Sequence, residues 1–295
     1  MAEYTSTSNN RGLFSNFLYE AQIFARNLLG RFTGHVDLRD KLVLLDNDEL
    51  LLVWETKLRN QRLKKEEEAW KRFEKQFGKG SPAVTEAFLK WQEQLYAYIE
   101  QEKDRFLKVR QGSSSALEKL LQAGAKNIIV TKGAKPYTQK CFNLVGLGTA
   151  ITSIYSPAPG SREKRFVDAV LENGKTTTVK YLRDTVIVGH DLEKDMAWDL
   201  VPAKGRPNDG NAPVFIFFSA LKFGNEVVDP LDALVEIIAL LSRRGKNDFL
   251  RGFKSITKPK QAMTKNYTFK IALYHNPKRS DKARIPVIHE IKPRR

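Results

Sequence analysis

Short, continuous apolar runs recur along the chain, and stretches with helical periodicity separate them. Leu42-Val43-Leu44-Leu45 leads directly into Asp46-Asn47-Asp48. An apolar run this short, with no polar alternation, reads as a strand buried on both faces. Ile128-Ile129-Val130-Thr131, Val186-Ile187-Val188-Gly189 and Val214-Phe215-Ile216-Phe217-Phe218 repeat the pattern. From Val53 to Arg110 the chain is rich in Glu, Lys, Arg, Gln, Leu and aromatics, with one break at Gly78-Lys79-Gly80-Ser81-Pro82. Ser81 before Pro82 reads as a helix N-cap followed by its first residue. Two long helices, Glu55 to Phe77 and Pro82 to Arg110, are therefore expected to form a hairpin. Trp70, Phe73 and Phe77 on the first, and Phe88, Trp91, Leu95 and Tyr98 on the second, recur at helical steps. They read as the hairpin's own core rather than as a base-stacking surface.

Gly112-Ser113-Ser114-Ser115 reads as a linker into a helix from Ala116 to Gln122. Ser161 to Leu171 is helix-like, and Asp229-Pro230 opens an amphipathic helix running to Leu241. Strands alternating with helices argue for an α/β class, a Rossmann-like parallel sheet with crossover helices. Phe215, Phe217 and Phe218 are expected in its core.

The strand ends carry the candidate chemistry. Asp46 and Asp48 fall where polarity begins, at the carboxyl end of a strand, which is where open parallel sheets place their ligand crevice. Side chains two apart on a strand point the same way, and two carboxylates aimed at one place repel unless a cation or a proton joins them. The same residues also fit a strand-to-helix turn with Asp48 as N-cap. The second run ends in Thr131. The third ends in Gly189-His190-Asp191, with Asp195 four residues on, and Lys164 sits near the start of the helix-like stretch between them.

This ordered set, a strand-end Asp-x-Asp, a strand-end Thr, a helical Lys and a strand-end Gly-x-Asp-x-x-x-Asp, resembles the haloacid dehalogenase-like (HAD) hydrolase superfamily over roughly residues 40 to 242. The resemblance implies a phosphohydrolase with an aspartyl-phosphate intermediate, which splits one hard displacement into two easier ones. Asp46 would be the nucleophile. Asp48 would protonate the leaving group and then activate water. Thr131 would hydrogen-bond a phosphoryl oxygen, and Lys164 would neutralise charge. Asp191, with Asp195, would hold Mg²⁺ beside Asp46 and Asp48. The family often carries a helical cap after its first motif, which here would be residues 53–112. The core would then be 40–52 and 113–242, flanked by extensions 1–39 and 243–295. Two departures stand out. Glu49-Leu50 replaces the usual Gly-Thr, and His190 comes directly after glycine, where the first acid often sits.

Composition narrows the setting. The chain has 295 residues, 41% hydrophobic, with one cysteine and four histidines. A single cysteine, Cys141, excludes an internal disulfide framework and suggests a reducing compartment, the cytoplasm first and the mitochondrial matrix second. There is no zinc spacing, no Gly-x-x-x-x-Gly-Lys loop, no Gly-x-Ser-x-Gly elbow and no apolar stretch of membrane-spanning length. Leu13 to Phe32 has helical apolar spacing, with Arg26 and Arg31 beside it. It fits a helix packed on the domain, a surface that meets a partner or a membrane, or a mitochondrial targeting segment, against which Glu3 and Glu20 argue.

Arg251 to Arg295 holds 13 basic residues against two acids, so most of the chain's net charge of +16 lies there. Concentrated positive charge binds polyanions through phosphate contacts, and RNA or DNA is the expected partner of residues 251–295, an acidic protein the other reading. Tyr267, Phe269, Ile271 and Leu273 alternate with Thr268, Lys270 and Ala272, which suggests a strand with a basic flank. Two functions follow: a Mg²⁺-dependent phosphohydrolase acting on a phosphomonoester, such as a nucleotide or nucleic-acid end, or a HAD-fold structural or nucleic-acid-binding subunit of a large ribonucleoprotein or viral assembly with weak or lost catalysis.

Overall fold

The structure, a computed structural model, describes residues 36–39, 41–156, 169, 184–192, 195, 213–219, 229–243, 259–275 and 284–294. The expected N-terminal helix at 13–32 and Lys164 lie outside the described residues, as does all of the helix-like stretch 161–171 except Ala169.

In chain order the first elements are strands β1 (Leu42–Asp46) and β2 (Leu52–Trp54). Helices α1 (Thr56–Phe77), α2 (Pro82–Gln101) and the short α3 (Lys103–Phe106) follow. Next come β3 (Leu107–Val109), α4 (Ser113–Gln122), β4 (Lys126–Val130), α5 (Lys135–Leu144) and β5 (Ser153–Tyr155). The described chain then gives β6 (Thr185–Gly189), β7 (Val214–Phe217), α6 (Ala233–Arg243), β8 (Lys260–Met263), β9 (Tyr267–His275) and β10 (Arg284–Pro293).

Eight strands form one sheet in the order β5-β4-β1-β6-β7-β10-β9-β8. The first six run parallel, and β9 and β8 run antiparallel to their neighbours. This is the Rossmann-like α/β sheet expected from the sequence. Every residue of β1 and β6 is buried, and successive residues enter different cores. Val43, Leu45, Ile129, Val188 and Ile216 pack under α4 and α6. Leu42, Leu44, Ile128, Val130, Ile187 and Phe215 form the second core, joined by the fully buried Ala169. At the amino ends of β1 and β6, Lys41 Nζ meets Asp184 at 2.6 Å, and Leu42 N–H donates to the Asp184 carbonyl at 3.0 Å.

The hairpin forms as the caps predict. Ser81 is extended, its Oγ accepts the Val84 N–H at 3.3 Å, and Pro82 begins α2. Its second helix, however, stops at Gln101 instead of reaching Arg110. Leu107–Val109 turns extended and pairs antiparallel with β2, Trp54 opposite Leu107. The hairpin thus leaves and returns through one two-stranded ribbon, closed by the Glu55 N–H on the Phe106 carbonyl at 2.9 Å. The serines read as a linker already form the first turn of α4. Gly112 precedes them at φ +84°, Ser113 Oγ donates to the Arg110 carbonyl and Ser114 Oγ to Glu118. The helix expected from Asp229 begins at Ala233. Asp229 instead accepts the Ser219 N–H, and Pro230 supplies the carbonyl met by the Ala233 N–H. Phe215 and Phe218 are fully buried, and Phe217 is half-buried.

Much of the C-terminal basic segment belongs to the sheet. β10 pairs in parallel with β7, Val287 opposite Phe215, and Phe269, Ile271, Ile285, Val287, Ile288 and Ile291 are buried. The alternation noted in the sequence is real, because β9 buries Phe269 and Ile271 and exposes Lys270. Glu236 on α6 accepts both the backbone and side-chain amides of Asn266, fixing the β8–β9 turn onto the core. Burying a large apolar side chain stabilises by about 1.5–3 kcal/mol, so these six together carry a large share of a marginal fold's stability. A chain ending at Ser242 should therefore fail to give a cooperative thermal unfolding transition by circular dichroism. A truncated chain that melts within about 5 °C of the full one would show that the ribbon is dispensable, since a shift that small corresponds to roughly 1–2 kcal/mol in a chain of this size.

Candidate active site

β1, β4 and β6 end side by side. Asp46 lies opposite Val130 and Leu45 opposite Val188, so Asp46, Thr131 and the Gly189-His190 step leave the sheet together at its carboxyl edge. Asp46 is fully buried. Its Oδ1 accepts the Asn47 backbone N–H at 2.8 Å. Its Oδ2 lies 2.8 Å from His190 Nδ1, a charge contact rather than an aligned hydrogen bond. His190 Nδ1 is also 3.5 Å from Asp195 Oδ2, and its Nε2 is 3.4 Å from Glu49 Oε2. Burial works to lower the His190 pKa, but the contact with Asp46 and the charges of Asp46, Asp195 and Glu49 outweigh it and raise the value above the ordinary one.

Asp195 shapes the loop that carries this histidine. Its Oδ2 accepts the backbone N–H groups of His190 at 3.1 Å and Asp191 at 2.9 Å. The approach requires glycine at 189, since a Cβ there would stand 2.6 Å from Asp195 Cβ. The loop after β1 keeps glycine geometry without glycine: Glu49 has φ +57°, left-handed backbone that costs a side-chain-bearing residue about 1–2 kcal/mol. Leu50 is fully buried, so it packs into the core where the resembling family would place a threonine hydroxyl.

Asp48 is exposed, and its Oδ1 accepts Trp54 Nε1 at 2.9 Å and Asn47 Nδ2 at 3.2 Å. Thr131 is buried, its Oγ1 accepting the Gly133 N–H at 3.1 Å. Asp191 is half-buried in the Asp195 loop. Ligand atoms of Asp46, His190 and Asp195 lie within 4.8 Å of one another. Asp46 and Asp195, of the four carboxylates expected around a metal, belong to this group; Asp48 and Asp191 do not. Two carboxylates and an imidazole are a donor set that a divalent cation accepts, so the residues present fit such an ion. The sequence marks His190 only as an interruption after glycine. Glu49 carries no sequence signal beyond the missing glycine.

Above these loops α1 and α2 cover a cavity of about 290 Å³. Asn47, Asp48, Thr131 and Gly133 line its core side, and Trp70, Phe88 and Trp91 its hairpin side. Gln92 Oε1 accepts the Ala134 N–H at 2.9 Å and fastens α2 to the loop after β4. The aromatic stripe of the hairpin therefore divides. Trp70, Phe88 and Trp91 pack against one another at 5.4–6.0 Å between ring centres, whereas Phe73 and Phe77 stack on each other and stay 41% and 50% exposed. Burial pushes the nearby Cys141 thiol up to about 12, which leaves it a packing residue and not a nucleophile.

The acid-bearing strand lies between the threonine- and glycine-bearing strands, and a helical hairpin is inserted after it. This arrangement agrees with the HAD-like resemblance of the sequence. No family model matches the chain, and no curated protein matches its sequence. Among solved structures it is similar to a haloacid dehalogenase-like family hydrolase from Xanthomonas campestris, at 16% identity and TM-score 0.42 over 69% of this chain and 94% of that one. It is also similar to a predicted phosphoglycolate phosphatase from Haemophilus somnus, at 13% identity and TM-score 0.41 over 66% and 91% of the two chains. A HAD phosphatase from Thermococcus onnurineus gives 18%, TM-score 0.40, and 63% and 89%. Among the described residues no helix is long and apolar enough to cross a membrane.

The raised His190 pKa has a thermodynamic consequence. A histidine whose folded pKa exceeds its unfolded one stabilises the fold fully below the unfolded value, about 6.5, and loses that contribution as pH rises through the folded value. In metal-free buffer, the thermal midpoint should therefore drop more between about pH 6 and about pH 8 in the wild-type chain than in His190→Gln. Parallel curves for the two proteins would remove His190 from the pH response.

Proposed function

We propose that this chain is a metal-assisted phosphomonoester hydrolase of the HAD type, acting through an aspartyl phosphate on Asp46. One observation carries the reading: Asp46, Thr131 and His190 leave the sheet at one carboxyl edge, where Asp48 and Thr131 line a cavity roofed by a helical hairpin. An Asp46 oxygen attacks phosphorus, and the ester oxygen departs with a proton from Asp48. Asp48 then takes a proton from water, whose oxygen attacks the acyl phosphate and returns Asp46 and inorganic phosphate. The indole of Trp54 holds the Asp48 carboxylate at the cavity floor. Thr131 donates to a phosphoryl oxygen, and Lys164 supplies positive charge. Asp46 and Asp195, whose ligand atoms converge with those of His190, would hold the metal, with Asp48 and Asp191 added on the resemblance; when bound, the ion, Mg²⁺ on the resemblance, would offset repulsion between carboxylate and phosphate. The same reading treats residues 53–112 as a cap that excludes water from the core, 40–52 and 113–242 together with the β8–β10 strands that extend its sheet. The basic 251–295 segment favours a nucleotide or a nucleic-acid end as the substrate.

A panel of phosphomonoesters assayed with and without Mg²⁺ tests the proposal. Asp46→Asn should abolish turnover with the fold intact, because a neutral amide does not attack phosphorus. Activity of the variant within about tenfold of wild type, a barrier change near 1.4 kcal/mol, would take Asp46 out of the mechanism.

A second reading, a nucleic-acid-binding or structural subunit with weak catalysis, has its own support. His190 lies against Asp46 Oδ2, the carboxylate is fully buried, and Asp46 is not among the residues lining the cavity. On this reading His190→Asp should raise Mg²⁺ affinity by calorimetry and increase turnover, while the wild-type chain binds RNA or DNA with a steep inverse salt dependence. Full wild-type turnover with Mg²⁺, and no binding to RNA or DNA at low salt, would exclude it.

A further inference from the structure

The cavity under the hairpin has walls of unusual chemistry. Trp54, Trp70, Phe88, Trp91 and Tyr137 all line it. Three of them, Trp70, Phe88 and Trp91, touch one another edge-on or tilted, and Trp54 stacks on Tyr137 at 6.3 Å. The volume, about 290 Å³, is at the small end of ligand sites, which run from roughly 300 Å³ upward. It suits one planar ring system with a short polar arm.

The same walls hold polar atoms that the fold leaves unmet. The side chains of Arg59, Trp91 and Thr138 line the cavity, and their Nε, Nε1 and Oγ1 atoms are buried with no hydrogen-bond partner among the described residues. Thr138 is fully buried. Buried polar groups are normally satisfied, so each such atom calls for an explanation. A ligand carrying acceptor atoms around a flat ring meets these donors and the aromatic faces at once. A glycerol chain leaves the aromatic faces unused.

The floor fixes the orientation. Asp48 and Thr131 lie at the core side, with Lys132 beside them. A phosphate placed there sends its ester group up toward the rings of α1 and α2. We infer that the site takes a phosphate ester whose organic part is a planar aromatic group of about mononucleoside size, stacked against the aromatic wall of the cavity with the side chains of Trp91, Thr138 and Arg59 as its donors. This rests on the phosphohydrolase reading for the position of the phosphate, and on the cavity alone for the aromatic part.

The full-length Asp46→Asn chain separates binding from turnover. Titrated with adenosine 5′-monophosphate, it should show quenching of tryptophan fluorescence and bind at least about tenfold more tightly than with glycerol 3-phosphate or inorganic phosphate. Base–aromatic stacking has that order of effect. Trp91→Leu in the same background should remove that preference and leave glycerol 3-phosphate binding unchanged. Should Trp91→Leu lose its native circular dichroism, Trp91→Phe keeps the ring but removes the N–H, and should give an intermediate loss. A 5′-phosphorylated trinucleotide distinguishes a free nucleotide from a strand end; binding as tight as the mononucleotide identifies the end, and weaker binding the free form. Equal affinity for adenosine 5′-monophosphate and glycerol 3-phosphate would overturn the inference. The two proposals fail separately. Aromatic-selective binding without turnover of any ester by wild-type protein sinks the hydrolase reading and keeps this one. Turnover of aliphatic and aromatic esters at equal kcat/KM sinks this one and keeps the hydrolase.

Discussion

A fully buried carboxylate at the end of a doubly buried strand sets the terms for the rest of the molecule. Taking an ionised group out of water costs several kcal/mol even after relaxation, and Asp46 has no exposed surface. The Asn47 N–H and the His190 imidazole stand against its two oxygens. The first is a local bond, but the histidine can be there only if β1 is held beside β6 in the observed register. The histidine in turn depends on Asp195, whose carboxylate gathers two backbone N–H groups, and on Gly189, which lets Asp195 approach. The local electrostatics thus depend on the sheet order, and the apolar cores on both faces hold that order.

The far side of the sheet is stabilised differently. An exposed edge strand invites pairing with another chain, and lysines on the edge discourage it. β8 is the last strand of the sheet, and Lys260 on it is exposed, as are Lys265 in the following turn and Lys270 on β9. Lys270 pairs with Glu290 across the ribbon at 2.7 Å. Some of the positive charge concentrated after Arg251 therefore sits on an edge ribbon whose opposite face is buried in the core. That geometry gives the charge a structural use independent of any polyanion, while leaving an exposed basic edge on the sheet.

Much of this was legible in the sequence where burial was absolute. The runs ending at Asp46, Val130, Gly189 and Phe217 are strands because nothing polar interrupts them, and their parallel order is the one that the alternation of strand and helix patterns predicts. Ser81-Pro82 fixed the start of α2 because capping chemistry is local. The misses share a cause, because they depend on distant partners. Leu107-Lys108-Val109 is too short and mixed to declare itself, and becomes extended by pairing with Leu52–Trp54. The ribbon of β8–β10 joins the sheet through β7, which no local pattern announces. The candidate site was legible only as positions, with Asp46 and Thr131 at strand ends and Asp195 beyond the end of β6. The role of His190 was not, because a histidine after glycine has no meaning until the fold brings Asp46 within reach of its ring.

The hairpin and the chemistry are joined at one residue. Trp54 is the last residue of β2, pairs with Leu107 at the base of the hairpin, donates to Asp48, and shares the cavity wall with Tyr137. A hairpin that leaves and returns through a single ribbon can shift only by bending that ribbon or carrying it along. Either motion moves the Trp54 indole, and with it the hydrogen bond that orients Asp48. Gln92 opposes such movement from above by holding the Ala134 N–H. Two side chains of the insert therefore set the position of the roof and the aim of a carboxylate on the floor together. On the proposed reading, choosing a ligand by its fit to the aromatic wall and presenting an acid to it are one geometric event.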